Sequence, residues 1–262
     1  MIRSLFAALV ILISISPAMA GPDCSRPLTL GLHEHGLLYS SDTDTGIDKD
    51  IAAELIRRSG CKVTLSLMPR ARIWQLIENG ALDFSLSGIT NPERDRFATF
   101  AWYISNKYYL LVRNDAKVQT LADFERDPAL KIGIIRSFRY SQGGNRLVDS
   151  LQAANRVSQS SGLAPLYEAL ALNQIQAMII EPFDYPVLDE KKIKDITRII
   201  EFNDPPVPHG VIMSKKALPE PEQEKWRTLI NDMRADGTVR QILRRYFPPE
   251  LATTMADFVD TP

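Results

Sequence analysis

The chain reads as an α/β protein of mixed sheets flanked by helices. Three observations predict this. Short apolar runs such as Leu28–Leu32, Val63–Leu67, Lys131–Ile135 and Gln176–Glu181 have strand length and strand composition. Longer stretches with apolar residues at helical spacing lie between them, as at Ile51, Leu55 and Ile56 or at Leu166, Ala169 and Leu170. The chain of 262 residues is also long enough for one large core or two ordinary ones.

Residues 1–20 have the layout of a secretory signal: Arg3, an apolar run from Leu5 to Ile15, then Ala18-Met19-Ala20 as a small-residue cleavage site. The run is short for a membrane span, and no other stretch is apolar enough for one. Cleavage after Ala20 leaves 262 − 20 = 242 residues and takes the formal charge from −1 to −2. The basic residues are dispersed, which excludes the footprint of a nucleic-acid binder. No low-complexity tract or fixed-period repeat is present. An exported chain meets an oxidising compartment. Cys24 precedes the strand Leu28–Leu32 and Cys61 opens the strand Val63–Leu67, so parallel neighbours would bring both to one sheet end and permit a disulfide.

The first strand ends in His33-Glu34-His35-Gly36, at the carboxyl edge where open α/β sheets collect ligands. His33 and His35 alternate onto one face, and a metal site with His209 is a minor alternative to polar ligand contacts. A helix is expected over 50–58, with Asp48 and Asp50 capping it. Met68-Pro69-Arg70-Ala71-Arg72-Ile73-Trp74 leads into a second helix that Gly80 stops.

Residues 83–100 read as a buried strand, a polar turn and the first turns of a helix, with Asn91 as cap and Pro92 at the first position. Arg94 goes against that pattern, because a cation in a first turn opposes the helix dipole. It suits an anion brought in from outside, which a guanidinium and free amides would hold. Pairing with Glu93 or Asp95 is the plain alternative. Lys107–Arg113 has high β propensity, and 114–117 breaks the pattern. After the strand Lys131–Ile135, Ser137 or a neighbour can start a helix whose amides face an anion. Ile196–Phe202 and His209–Met213 are strands separated by Asn203-Asp204-Pro205-Pro206, and Trp226, Leu229, Ile230 and Met233 mark a last long helix ending near Gly237.

Five of these segments, in order, resemble the extracellular solute-binding proteins of family 3, the amino-acid-type receptors of ABC importers. They are Gly46-Ile47-Asp48-Lys49-Asp50-Ile51-Ala52; Gly88, Thr90, Pro92, Glu93 and Arg94 followed by Phe100 and Tyr103; Ile132-Gly133-Ile134 followed by Arg136-Ser137-Phe138-Arg139; Gln176–Glu181; and Ala235-Asp236-Gly237-Thr238 with Ile242, Tyr246 and Phe247. The chain departs from the family pattern in several places, including Ile47 for an aromatic residue, Ala101-Trp102 for Ser-Pro and a turn before Pro92 one residue shorter. Asn91 replaces a common Thr, Ser137-Phe138 stands where the family has Gly-Thr, and Gln176 replaces an Asp.

The resemblance implies a two-lobed, type II periplasmic binding fold with two hinge crossovers. Lobe 1 would span 24–112 plus 207–262 and lobe 2 would span 113–206. It implies a small carboxylate-bearing solute, an amino acid or a relative, caught between closing lobes. Arg94 would take the carboxylate, with Thr90 and Gly88 beside it, and Glu181 an ammonium from the opposite lobe. His33, Glu34 and Tyr39, Arg70, Arg72 and Trp74, and Arg136, Ser137 and Phe138 are the further contacts expected. Asp184 and Tyr185 are placed at the same rim. The expected role is a periplasmic monomer serving a membrane permease, without catalytic residues, cofactor, metal or nucleic acid. A dehydratase-like enzyme using a cleft carboxylate and a ligand-presenting sensory protein are the alternatives.

Overall fold

A computed structural model describes residues 21–190 and 192–259. The signal reading falls on residues 1–20, outside the described residues. Among the described residues no helix is long and apolar enough to cross a membrane.

The chain runs β1 (Leu28–Leu32), α1 (Ile47–Ser59), β2 (Val63–Leu67), α2 (Arg70–Asn79), β3 (Phe84–Gly88), β4 (Ala98–Asn106) and β5 (Tyr109–Arg113). It continues through α3 (Leu121–Arg126), β6 (Ile132–Ile135), α4 (Gln142–Ala153), β7 (Val157–Ser160), α5 (Leu163–Ala171), β8 (Ala177–Ile180), α6 (Tyr185–Glu190) and α7 (Ile193–Ile196). It closes with β9 (Thr197–Glu201), β10 (Val207–Ser214), α8 (Glu220–Ala235), α9 (Thr238–Leu243) and α10 (Pro249–Ala256).

Two five-stranded sheets result, ordered β2-β1-β3-β10-β4 and β7-β6-β8-β5-β9. In the first, β1 pairs in parallel with β2 and β3, while β10 runs antiparallel between β3 and β4. In the second, β6 pairs in parallel with β7 and β8, and β5 runs antiparallel to β8 and β9. All five residues of β3 and all four of β6 and β8 are buried. Central strands covered on both faces read as unbroken apolar runs for that reason.

The first crossing lies at Lys107-Tyr108, because β5 belongs to the second sheet. The expected boundary after residue 112 is therefore corrected. KYYLLVR has the same propensity in either sheet, and only its pairing with β8 and β9 decides membership. The chain returns to the first sheet between β9 and β10, through Asn203-Asp204-Pro205-Pro206.

The α1 helix buries Ile47, Ile51, Ala52 and Leu55 on one face and ends at Gly60, whose φ of 70° gives the left-handed cap. It starts three residues before the expected Asp50. Asp48 and Asp50 do not cap it: Asp48 is buried inside the first turn, and Asp50 accepts from the Tyr246 hydroxyl at 2.8 Å. Cys24 and Cys61 form a disulfide with Cα atoms 4.8 Å apart, at the shared end of the parallel pair β1 and β2. The core under the first sheet gathers Phe84 and Trp226 edge-on at 4.8 Å, and it also takes in Phe183, which follows a strand of the second sheet.

Candidate functional site

The carboxyl ends of β1 and β3 open onto the gap between the sheets, and the turn after β6 closes over it. The residues meeting there include His33, Arg70, Ser87, Ile89, Arg94, Tyr108, Phe138, Arg139, Glu181 and His209. They enclose a cavity of about 20 Å³, room for roughly one water. Two wider openings adjoin it. One, of about 560 Å³, is shared through His33, Arg70 and Phe138 and bordered by Glu34, Asp42, Leu67, Met68 and Ser161. The other, of about 400 Å³, is shared through Arg94 and Arg139 and bordered by Trp74, Arg136 and Ser137.

Two guanidiniums form the walls. Arg70, at the first position of α2, is buried and donates to the carbonyls of Leu86 at 2.9 Å and Ser87 at 2.7 Å. Arg94 is buried, donates to the carbonyl of Ile89 at 2.8 Å, and lies over the Trp74 ring at 3.9 Å. Its other arm crosses between the sheets to the carbonyl of Ser137 at 2.8 Å. Their recorded hydrogen bonds go to carbonyl and hydroxyl oxygens, not to a carboxylate. Burial, then the charges of Arg70 and Arg139, pushes Arg94 down to about 9; burial likewise pushes Arg70 down to about 10. Two like charges in a dry wall are each costly without an anion.

The expected helix after Asn91 is a single 3-10 turn, Arg94–Arg96, that runs straight into β4. Asn91 is not its cap, which is Glu93 with no side-chain cap bond; the Asn91 side chain instead accepts from the Arg94 amide at 2.8 Å across the preceding turn. There is no row of free helix amides, so any anion site here is made of side chains. The helix expected near Ser137 begins instead at Gln142, capped by Ser141. Residues 136–139 are a turn in which Ser137 has φ of 63°. The position that the resemblance fills with Gly keeps a left-handed backbone, at a cost for a non-glycine residue. That conformation aims the Ser137 carbonyl at Arg94 and brings the Phe138 ring onto His35, with centroids 5.1 Å apart and planes 25° apart.

Glu181 forms the floor. It follows β8 and is buried, and each of its oxygens accepts one hydrogen bond from this chain. His35 Nε2 donates to Oε1 at 2.7 Å and Asn106 Nδ2 donates to Oε2 at 2.9 Å. Burial is the largest single effect and opposes charge on both partners, but their mutual hydrogen bond and the neighbouring charges together outweigh it: His35 is raised and Glu181 lowered from their ordinary ranges. His209 Nε2 lies 3.6 Å from Glu181 Oε2. Its Nδ1 must donate to the Val207 carbonyl at 3.0 Å, so Nε2 accepts from the Tyr108 hydroxyl at 2.8 Å. Burial lowers His209 and, more strongly, His33, whose Nδ1 is buried without a partner. The histidines are thus engaged in hydrogen bonds or held neutral, and no group among the described residues is arranged to hold a metal ion.

Asp48 lies just behind Ser87. It accepts from the Ser87 hydroxyl at 2.7 Å and the Tyr103 hydroxyl at 2.9 Å, and burial pushes it up to about 6.

Of the residues singled out from sequence, His33, Arg70, Arg94, Phe138 and Glu181 come together around the central cavity. Glu34, Trp74, Arg136 and Ser137 border the flanking openings. Four lie elsewhere. Thr90 is exposed and bonded to Asp95; Gly88 packs where a side chain would strike Ile212; Arg72 is exposed beside Gln75; and the Tyr39 hydroxyl donates to Asp44. Asp184 is buried, accepting from Tyr167 and from the Glu181 amide, and is absent from the cavity wall. Sequence reasoning missed Ser87, Tyr108 and Asn106. Their only local signal is position: Ser87 near the end of β3, and Asn106 and Tyr108 on either side of the first crossing.

The profile of the bacterial extracellular solute-binding proteins, family 3, matches residues 35–249. A comparison with curated protein sequences finds no match. Solved structures are similar in fold. An ancestral arginine-binding protein bound to arginine is 18% identical with a TM-score of 0.69, over 86% of this chain and 100% of that one. The arginine-, lysine-, histidine-binding protein ArtJ from Geobacillus stearothermophilus is 15% identical with a TM-score of 0.71, over 85% of this chain and 95% of that one. The ancestral amino acid-binding protein AncCDT-1, a precursor of cyclohexadienyl dehydratase, is 20% identical with a TM-score of 0.68, over 85% and 96%. With a family profile spanning most of the chain and the two-sheet architecture in agreement, the chain belongs to the bacterial extracellular solute-binding proteins, family 3.

Proposed function

We propose that this protein is the periplasmic receptor of an ABC importer and captures a small carboxylate-bearing solute between two lobes. The first lobe is assigned to residues 24–107 with 207–259 and the second to 108–206, with the crossings as hinge. The observation that carries the reading is the pair Arg70 and Arg94, two buried cations that face one cavity without a carboxylate of their own. An anionic ligand is the missing partner of such a wall. Closure around it would give the permease a loaded shape to recognise. With a cavity of about 20 Å³, entry of a solute requires the lobes to part or the Phe138 ring to swing off His35. A binding role is favoured over catalysis because the one acid on the cavity wall, Glu181, is held by His35 and Asn106.

Isothermal titration against amino acids, organic acids and polyamines tests this. A dissociation constant of about 1 µM, in the range ~0.1–10 µM, is expected for a suitable carboxylate, worth about 8 kcal/mol. Arg70→Ala and Arg94→Ala should each weaken it by roughly 2 kcal/mol or more, about 30-fold. Carboxylate binding that survives both changes, or a panel in which only polyamines bind, would defeat the proposal.

A further inference from the structure

An amino acid carries an ammonium beside its carboxylate, and a site for it needs an acceptor as well as a cation. The central cavity has one acid on its wall, Glu181. That acid is already matched within the chain: its charge faces His35, and each oxygen accepts one hydrogen bond. One oxygen takes the proton of His35 at 2.7 Å and the other the Asn106 amide at 2.9 Å, with His209 at 3.6 Å. The carbonyls beside the cations already accept from them, Ser87 and Leu86 from Arg70 and Ile89 and Ser137 from Arg94.

The arrangement is also fixed in place by the hinge. The Leu37 amide donates to the carbonyl of Phe183 at 2.9 Å, and Phe183 is packed in the core under the first sheet. Gly36 has φ of 47°, and a Cβ there would stand 2.3 Å from that carbonyl. The backbones of 35–37 and 181–184 thus touch where only glycine fits. Asn106 sits one residue before the first crossing and His209 two residues into β10, after the second. The clasp around Glu181 therefore spans the floor of the cleft, where opening moves atoms least. Glu181 has no reason to be released when a solute arrives.

We propose, resting on the carboxylate reading above, that the solute is an anion without an α-ammonium group: an amine-free carboxylic acid whose head meets Arg70 and Arg94, while His35 occupies the cationic place beside Glu181. The neutral, buried Nδ1 of His33, which has no partner, then serves as a hydrogen-bonding contact for an uncharged substituent of the acid.

The test titrates the full-length mature protein with matched sets: L-glutamate, 2-oxoglutarate and glutarate; L-phenylalanine, phenylpyruvate and 3-phenylpropionate. The expected result is that in any set that binds, the amine-free acids bind at least about tenfold more tightly than the amino acid (roughly 1.4 kcal/mol per factor of ten). An amino acid that binds as tightly as its amine-free partners, or more tightly, overturns this inference and leaves the carboxylate reading standing. No binding in either set, with polyamines bound instead, overturns both. A second variant separates the clasp from general packing. In a folded His35→Asn protein Glu181 is freed, so the preference should move toward the amino acid by about fivefold or more. A preference unmoved in that protein overturns the role given to His35.

Discussion

Replacing Glu181 with Gln removes one half of a buried ion pair and keeps the shape of the side chain. Glu181 and His35 are both almost fully buried and 2.7 Å apart. Removing one partner of such a pair costs on the order of 3–5 kcal/mol. The low end, about 3 kcal/mol, applies because the Gln amide can still bond a neutral imidazole. The pH dependence follows from the two shifts. His35 is raised above its ordinary 6.5, so its contribution is complete below 6.5 and fades as pH climbs through the raised value. Glu181 is lowered below its ordinary 4.5, so its contribution is complete above 4.5 and fades as pH drops through the lowered value. The pair therefore contributes fully between 4.5 and 6.5. Other buried acids, such as Asp48 and Asp184, are common to both proteins and cancel in the difference to first order. Urea unfolding of wild type and variant, at about pH 5.5 and about pH 8.5, reads this directly. The loss should be about 3 kcal/mol at the lower pH and clearly smaller at the higher one. Equal losses at both pH values, or no loss at pH 5.5, would refute the ion pair.

Three further outcomes follow. The disulfide joins residues 37 apart in sequence, and loop-closure entropy for that length gives about 4 kcal/mol; Cys24→Ser with Cys61→Ser should lose most of it in denaturant titrations, and wild type should lose the same amount when reduced. Gly36→Ala forces a methyl group against the Phe183 carbonyl from a left-handed backbone, so a loss of about 1–3 kcal/mol is expected by calorimetry, whereas Gly60→Ala, with nothing within 4 Å of the added atom, should cost only the left-handed strain, about 1 kcal/mol. Saturating the protein with a suitable carboxylate at 100 times its dissociation constant should add about 2.7 kcal/mol of stability, and Arg94→Ala, weakening binding about 30-fold, should cut that gain to about 0.9 kcal/mol or less at the same ligand concentration.

Much of the molecule is legible along the chain because the signals are local. Leu28–Leu32 and Val63–Leu67 announce strands by composition, Gly60, Gly80 and Gly237 stop helices, and the Asn-Asp-Pro-Pro run marks a crossing. Cys24 and Cys61 are paired once two strands are taken as parallel neighbours. The misreadings come where two structures suit the same residues. Lys107–Arg113 is a good strand for either sheet. Asn91-Pro92-Glu93 opens a helix equally well as a single 3-10 turn, and β4 claims the backbone from Ala98, two residues after that turn ends. Asp48 reads as a cap but is drawn inward by two hydroxyls, Ser87 and Tyr103, from strands that follow it by 39 and 55 residues.

The sequence by itself determined the α/β class and the order of the elements, since strand and helix periodicity and turn residues act over a few positions. Tertiary structure alone decided what the charges do. His35 meets Glu181 across 146 residues, and Arg70 turns into the cleft while Arg72, two residues on, faces solvent. A charge is governed by the groups within a few ångströms and by how much water surrounds it, and neither is encoded at any one place in the chain.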